Sequence, residues 1–225
     1  MADVRRRKKS ALYEAWAEAV KAMANAHRLE MLDLLAQAPR TVDVLAGLVD
    51  VSVANASQHL QVLRGAGLVE SEREGAFVRY RLAGPDVANT MVVLRTLAHA
   101  RSQTLEHAAA QLRSQHGVAV EVDRAYLLKR AQRGEVLFLD VRPAEEFAAG
   151  RLPRAISIPV RELKRRLDEL PARQLVVAYC RGPYCMFAAK AVDVLRAAGF
   201  DAMPLSDGVA EWRARGLPVE TAERP

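Results

Sequence analysis

The chain contains two cysteines, Cys180 and Cys185, both within the stretch YCRGPYC at positions 179–185. One pair cannot be the framework of a disulfide-held fold in a chain of 225 residues. The two thiols are therefore either one reactive site or core packing. The local pattern bears on the choice. The run LVVAYC at 175–180 reads as a buried strand, and a helix is predicted from about Tyr184 to Ala198, with Ala188, Val192 and Leu195 on one face. A cysteine between a strand end and a helix N-terminus meets the positive end of the helix dipole and the N–H groups of the loop. Both favour thiolate over thiol at Cys180, as does Arg181, while Gly182 lets the backbone curl closely. Packing is the alternative, and Arg181 and Gly182 make a poor continuation of a core.

Histidines offer a second chemistry. His99, Glu106 and His107 fall on one predicted helix, with His116 just beyond it. His99 and His107 are separated by two turns, about 12 Å along the axis, so they cannot share an ion within one chain. His59 reads as a packed or capping residue. No metal and no cofactor is expected.

The elements that must position these groups fall into two sets. A length of 225 residues favours two domains, and 51% hydrophobic residues allow a sizeable core. A net charge of +6 permits nucleic-acid binding without requiring it. Glu14, Glu18 and Lys21 interrupt any apolar run behind the basic start, and no stretch approaches a membrane span. A cytoplasmic protein with reduced thiols and no membrane partner is expected. Residues 1–9, with Arg5 to Lys9, read as a disordered basic tail. Helices follow: one from Ser10 with Leu12, Trp16, Val20 and Met23 at helical spacing; 27–35, limited by Pro39; one capped by Thr41 and carrying Val44, Leu45 and Leu48; and one capped by Ser52 that ends at Gly65-Ala66-Gly67. Residues 68–82 alternate as a hairpin with its turn at Glu74-Gly75. Pro85 opens a predicted helix to about Ser114. Its positions Val87, Met91, Leu94, Ala98, Leu105, Ala108 and Leu112 form a heptad seam on a rod of roughly 45 Å. Such a seam calls for a partner, read here as a homodimer through helices 10–24 and 85–114; packing on the chain's own first helix is the alternative. Past His116-Gly117 the pattern changes to short buried strands, 136–141 and 175–180, alternating with helices. That predicts an α/β domain with a parallel sheet. The boundary falls near 115–119, giving domains at 10–115 and 118–221.

On the helix that Ser52 caps, Ala56, Leu60 and Leu63 share an inward face with Val53, while Ala54, Gln58 and Gln61 point outward beside Asn55 and Ser57. That outward face is short, polar and nearly uncharged. Such side chains donate and accept hydrogen bonds, as base edges in the major groove require; an ordinary solvated face is the alternative. The order of helix, turn, polar-faced helix and basic hairpin is that of a winged helix-turn-helix. With the stretches HRLEMLDLL, SQHLQVLRGAGLV and REGAFVRYRL, residues 10–112 resemble the ArsR family of dimeric bacterial repressors. The resemblance implies double-stranded operator DNA as partner, Asn55, Ser57, Gln58 and Gln61 as base-reading residues, and Arg73 and Arg79 as phosphate contacts. Ala76 stands where the family's wing tip often carries a basic residue, and the basic tail could compensate by counterion release. The cysteines by which many relatives hold thiophilic metals are absent from this half, and Leu97 stands where others have the Asp of an Asp-x-His pair.

The stretches LDVRPAEEFAAGRLPRAISIP (139–159), YCRGPYC and SDGVAEWRARGLPV (206–219) together resemble the rhodanese family over about 118–221. Asp140, Arg142, Glu146, Phe147, Trp212, Gly216 and Pro218 match its pattern, whereas Arg151 and Arg154 depart from it. The resemblance implies sulfane-sulfur transfer through a persulfide on Cys180, held by the N–H groups of Arg181 through Met186, with Arg181 drawing in an anionic donor such as thiosulfate. The related phosphatase loop needs an Arg where this chain has Met186, so phosphatase chemistry is not expected. Cys185 reads either as a thiol that resolves the persulfide or as a small hydrophobe. The joint expectation is a dimeric DNA-binding regulator whose rhodanese domain senses or transfers small sulfur species. The alternatives are a sulfurtransferase in which the winged helix serves dimerisation or localisation, and a soft-ion (arsenite-type) sensor using the two thiols.

Overall fold

A computed structural model describes residues 2–114, 123–171 and 173–221. The chain divides into two compact units, Met1–Met91 and Val92–Pro225.

The first unit holds α1 (Ala2–Met23), α2 (Ala26–Leu35), β1 (Arg40–Thr41), α3 (Val42–Leu48), α4 (Val53–Gly65), β2 (Val69–Glu74), β3 (Phe77–Leu82) and the start of α5 (Pro85–Arg101). Asn25 starts α2 by accepting the N–H of Arg28, and Ser52 starts α4 by accepting that of Asn55. Gly75, with φ +62°, makes the β2–β3 turn that a side chain would resist. Met31, Leu32, Leu45, Ala56, Leu60 and Leu63 form a core that Val69 and Tyr80 of the antiparallel hairpin close. The two-residue β1 pairs with β3, an edge that the sequence pattern did not announce.

Several expectations need correction here. Val53 is 50% exposed, because it opens α4 one turn before the helix reaches the core. Val44 and Leu48 are exposed as well, leaving Leu45 as the buried contact of α3 among the three. Thr41 holds the N-cap position of α3 but makes no side-chain cap bond. Residues 5–9, expected as a disordered tail, continue α1 as exposed helix; no Gly or Pro interrupts the segment, and Arg and Lys are good helix formers.

The second unit contains the rest of α5, then α6 (Gln103–Ser114), α7 (Arg124–Gln132), β4 (Val136–Asp140), α8 (Ala144–Ala149), β5 (Ile156–Ser157), β6 (Leu175–Tyr179), α9 (Phe187–Ala197), β7 (Ala202–Pro204) and α10 (Val209–Ala214). The four strands are parallel, in the order β5-β4-β6-β7. Alternation places Val176 and Ala178 of β6 in one core, with Leu139, Ala191 and Leu195. Val177 and Tyr179 enter the other, with Phe138, Leu205 and Trp212. Both faces are covered, which is why these strands read as continuous apolar runs. The helix predicted over 85–114 is broken at Ser102, whose hydroxyl accepts the N–H of Leu105 and so starts a new helix. Of its seam, Val87 and Met91 lie in the core of the first unit and Leu94 is exposed. His116, Gly117 and the predicted boundary lie outside the described residues.

Candidate functional site

On α4, Ala56, Leu60 and Leu63 are fully buried, which fixes the helix's rotation. Asn55, Gln58 and Gln61 are exposed and Ser57 is half-buried. The four residues named as base readers therefore occupy one side of the helix, three of them exposed. The wing's cations are less available. Arg79 donates to Glu74 at 2.8 Å and to the Pro39 carbonyl at 3.3 Å, and Arg81 pairs with Glu70. Arg73 is exposed at the hairpin tip, where its Nε donates to the Gly75 carbonyl at 3.2 Å.

In the second unit, β6 delivers Cys180 to the end of the strand, and the loop closes with the Cys185 N–H donating to the Gly182 carbonyl at 3.0 Å. Cys180 is 1% exposed. Its Sγ donates to the carbonyl oxygen of Cys185 at 3.2 Å. Burial pushes the Cys180 thiol well up, and the neighbouring Cys185 pushes it further, against the N–H groups of Ala188 and Gly182. Cys185 moves the other way, to about 6, drawn down by the neighbouring Cys180 thiol and by the N–H groups of Arg181 and Phe187. α9 begins at Phe187 rather than near Tyr184, and N–H groups of its first turn reach both sulfurs, that of Ala188 acting on Cys180 and that of Phe187 on Cys185.

Arg181 does not reach into the loop's opening. Its guanidinium donates to Glu146 at 2.7 and 3.0 Å, and Glu146 is fully buried at the start of α8. From there its charge still acts on both Cys185 and Cys180. Asp140 and Arg142 are both fully buried beneath the loop. Arg142 donates to Asp140 at 2.6 and 3.0 Å and to the Gly150 carbonyl at 2.6 Å, and it lies over the Tyr179 ring. The two act as a brace between β4, β6 and the end of α8 and present no atom to a substrate. Met186 ends the loop as the N-cap of α9, half-buried.

A cleft of about 610 Å³ opens beside the loop, lined by Gly182, Cys185, Met186, Arg95, His99 and Glu211 among others. Glu211 of α10, 4% exposed, was not recognised from the sequence. It accepts the Gly208 N–H at 2.7 Å and pairs with Arg95. It also lies so close to Gly182 that a Cβ there would stand 3.1 Å from its carboxylate. Tyr184 meets His99 Nε2 at 2.8 Å, while His99 Nδ1 holds Glu106 at 2.9 Å, so both ring nitrogens have protein partners. His107 Nε2 meets Gln111 at 3.0 Å.

Comparison with known proteins agrees with both halves. Residues 123–215 match the rhodanese-like domain and residues 23–72 a helix-turn-helix domain. The HTH-type transcriptional regulator Rv0324 of Mycobacterium tuberculosis is 44% identical over 95% of this chain and 93% of its own length. A sulfurtransferase of Allochromatium vinosum is 32% identical over 46% of this chain and 96% of its own. A solution structure of the homodimeric winged helix-turn-helix domain of a possible ArsR-family regulator from Mycobacterium bovis is 41% identical. It covers 42% of this chain and 88% of that one, with a TM-score of 0.40. The chain belongs to the ArsR-family helix-turn-helix transcriptional regulators, in a form fused to a C-terminal rhodanese domain.

Proposed function

We propose that this regulator is a homodimer that binds operator DNA through α4 and that sulfane sulfur, taken up as a persulfide by the Cys180–Cys185 loop, changes that binding. The observation that carries the reading is the thiol pair: in a chain with a DNA-reading helix, one loop holds a buried thiol against a second pulled down to about 6 beside an open cleft. Dimerisation is supported by large apolar side chains left exposed on two helices. Leu12, Tyr13, Trp16 and Val20 on α1, and Val93 and Leu97 on α5, are each more than half exposed.

Coupling has a physical carrier. Within the second unit, α5 brings Arg95 to Glu211 and over the Tyr184 ring, and His99 to the Tyr184 hydroxyl. A change in the loop changes what α5 meets, and a ligand shifts an equilibrium only through such a difference between states. Tyr184→Phe removes the hydroxyl from this contact. It is expected to leave sulfur loading intact while reducing the effect of polysulfide on operator binding; an unchanged response excludes this contact as the carrier.

The test of the whole reading is operator binding by wild type and Cys180→Ser, each with and without polysulfide. Wild type alone should respond; equal responses overturn the proposal. For the DNA face, Gln58→Ala or Gln61→Ala should lose about 1–3 kcal/mol of discrimination at one base pair. Arg73→Ala should weaken all sequences alike and lower the salt slope by about one. Competition binding on single-base operator variants at several salt concentrations separates the two. The likeness to the sulfurtransferase of A. vinosum favours a second reading, an enzyme in which α4 serves no operator. Rapid thiosulfate:cyanide turnover without sequence-specific DNA binding is the result that selects it.

A further inference from the structure

We propose that Arg95 of α5 is a positioning residue of the sulfur site: by pairing with Glu211 it cancels a negative charge beside the loop, so that the loop can take up an anionic sulfur donor. This rests on the sulfur-uptake reading above and adds to it a residue from outside the rhodanese-like span. Among the described residues of the second unit, four carboxylates are buried: Asp140, Glu146, Asp207 and Glu211. The first three pair with Arg142, Arg181 and Arg124, all within the rhodanese-like residues 123–215. Glu211 pairs with a cation from beyond that span, Arg95.

Glu211 is also the carboxylate set against the loop's backbone. One of its oxygens accepts the Gly208 N–H at 2.7 Å and the other meets Arg95. Both face Gly182, two residues after Cys180: a Cβ there would stand 3.1 and 3.2 Å from them. Arg95 is held over the same loop, its guanidinium carbon 5.6 Å from the centre of the Tyr184 ring and its side chain 12% exposed. Arg95, Glu211, Gly182 and Cys185 line one cleft, so the charge they carry acts on whatever enters it.

The chemistry makes that charge matter. A thiolate at Cys180 attacks the outer sulfur of an organic persulfide, R–S–SH. The donor S–S bond breaks, R–S⁻ leaves with the bonding pair, and Cys180–S–SH forms with no net oxidation. Negative charge stays at the loop throughout, from the attacking thiolate to the leaving one. An unmatched carboxylate in a poorly solvated site opposes each of these species, and a cation at its side removes the opposition. Arg95 follows Met91, a core residue of the first unit, by one helical turn. The charge balance of the sulfur site therefore depends on a helix that begins in the DNA-binding unit.

The experiment uses full-length protein, rapid alkylation and mass spectrometry of the peptide carrying Cys180. The probes are glutathione persulfide, whose tail carries a net negative charge, and the persulfide of 2-mercaptoethanol, whose tail carries none. In Arg95→Gln, loading from glutathione persulfide should slow on the order of tenfold or more, and loading from the uncharged probe should slow less. Arg95→Lys should retain most of the wild-type rate. The double variant Arg95→Gln/Glu211→Gln should recover most of the loss, with thermal melts confirming that the variants fold. Glu211→Gln alone keeps an amide oxygen for the Gly208 N–H and should load at or above the wild-type rate, a measurement that stands even where Arg95→Gln does not fold. Equal slowing with both probes, no recovery in the double variant, wild-type loading in Arg95→Gln, or slowed loading in Glu211→Gln each overturns the role of Arg95 while leaving sulfur uptake standing. No loading of Cys180 in wild type overturns the uptake reading itself, and the role of Arg95 with it.

Discussion

Replacing Arg142 with alanine is expected to destabilise the second unit by about 3–5 kcal/mol, because it leaves a buried carboxylate without its charge partner. Asp140 and Arg142 are both at zero exposure, and the guanidinium makes bonds of 2.6 Å to both Asp140 and the Gly150 carbonyl. In a unit of this size each kcal/mol lowers the midpoint by roughly 3–4 °C, so the melt of the second unit should fall well below that of wild type. The double variant Asp140→Asn/Arg142→Met removes both charges and is expected to recover at least half the loss. A single variant that melts like wild type contradicts the buried-brace reading. Equal losses in single and double variants mean that packing, not the stranded charge, sets the cost.

Gly208→Ala should slow sulfur loading on the order of ten- to a hundredfold, because it moves the reactive loop rather than any reacting atom. The backbone at Gly208, with φ −105° and ψ −168°, is one that alanine adopts freely. The obstacle is contact: a Cβ would stand 2.7 Å from the Cys180 carbonyl oxygen and 2.7 Å from the carbonyl carbon of Arg181. Both are backbone atoms, so relief requires displacing the loop at the cysteine itself, at a stability cost of about 1–3 kcal/mol. Gly65→Ala, with nothing within 4 Å of the added carbon, is the control. It should gain about 0.4–1 kcal/mol and leave loading unchanged. Loading kinetics and melts of the two variants check the contrast; wild-type loading in Gly208→Ala means the 206–209 segment does not position the loop.

Much of the organisation was legible along the chain because it follows from local spacing. Three residues, Ala56, Leu60 and Leu63, define the inward face of α4 and so the outward one, whatever the rest of the fold does. The alternation in β4 and β6, the Gly75 turn and the Ser52 cap are likewise properties of short stretches. The break at Ser102 was hidden because a serine within a helical pattern fits either a continuous helix or a new cap.

The site was legible in its members and not in their roles. That a loop with two thiols begins at Cys180, after a strand and before a helix, is written in YCRGPYC and its flanks. How the surroundings act on each thiol is not. That depends on α9 starting at Phe187, on the N–H groups that reach the two sulfurs, and on how deeply Cys180 is covered. It was also the tertiary structure that turned Arg181 to Glu146 and brought Glu211 and Gly208 against the loop from elsewhere in the chain. Periodicity encodes which face of an element is apolar. The protonation of a thiol is set by the dielectric and dipoles around one atom, and those come from segments that meet only when the chain has folded.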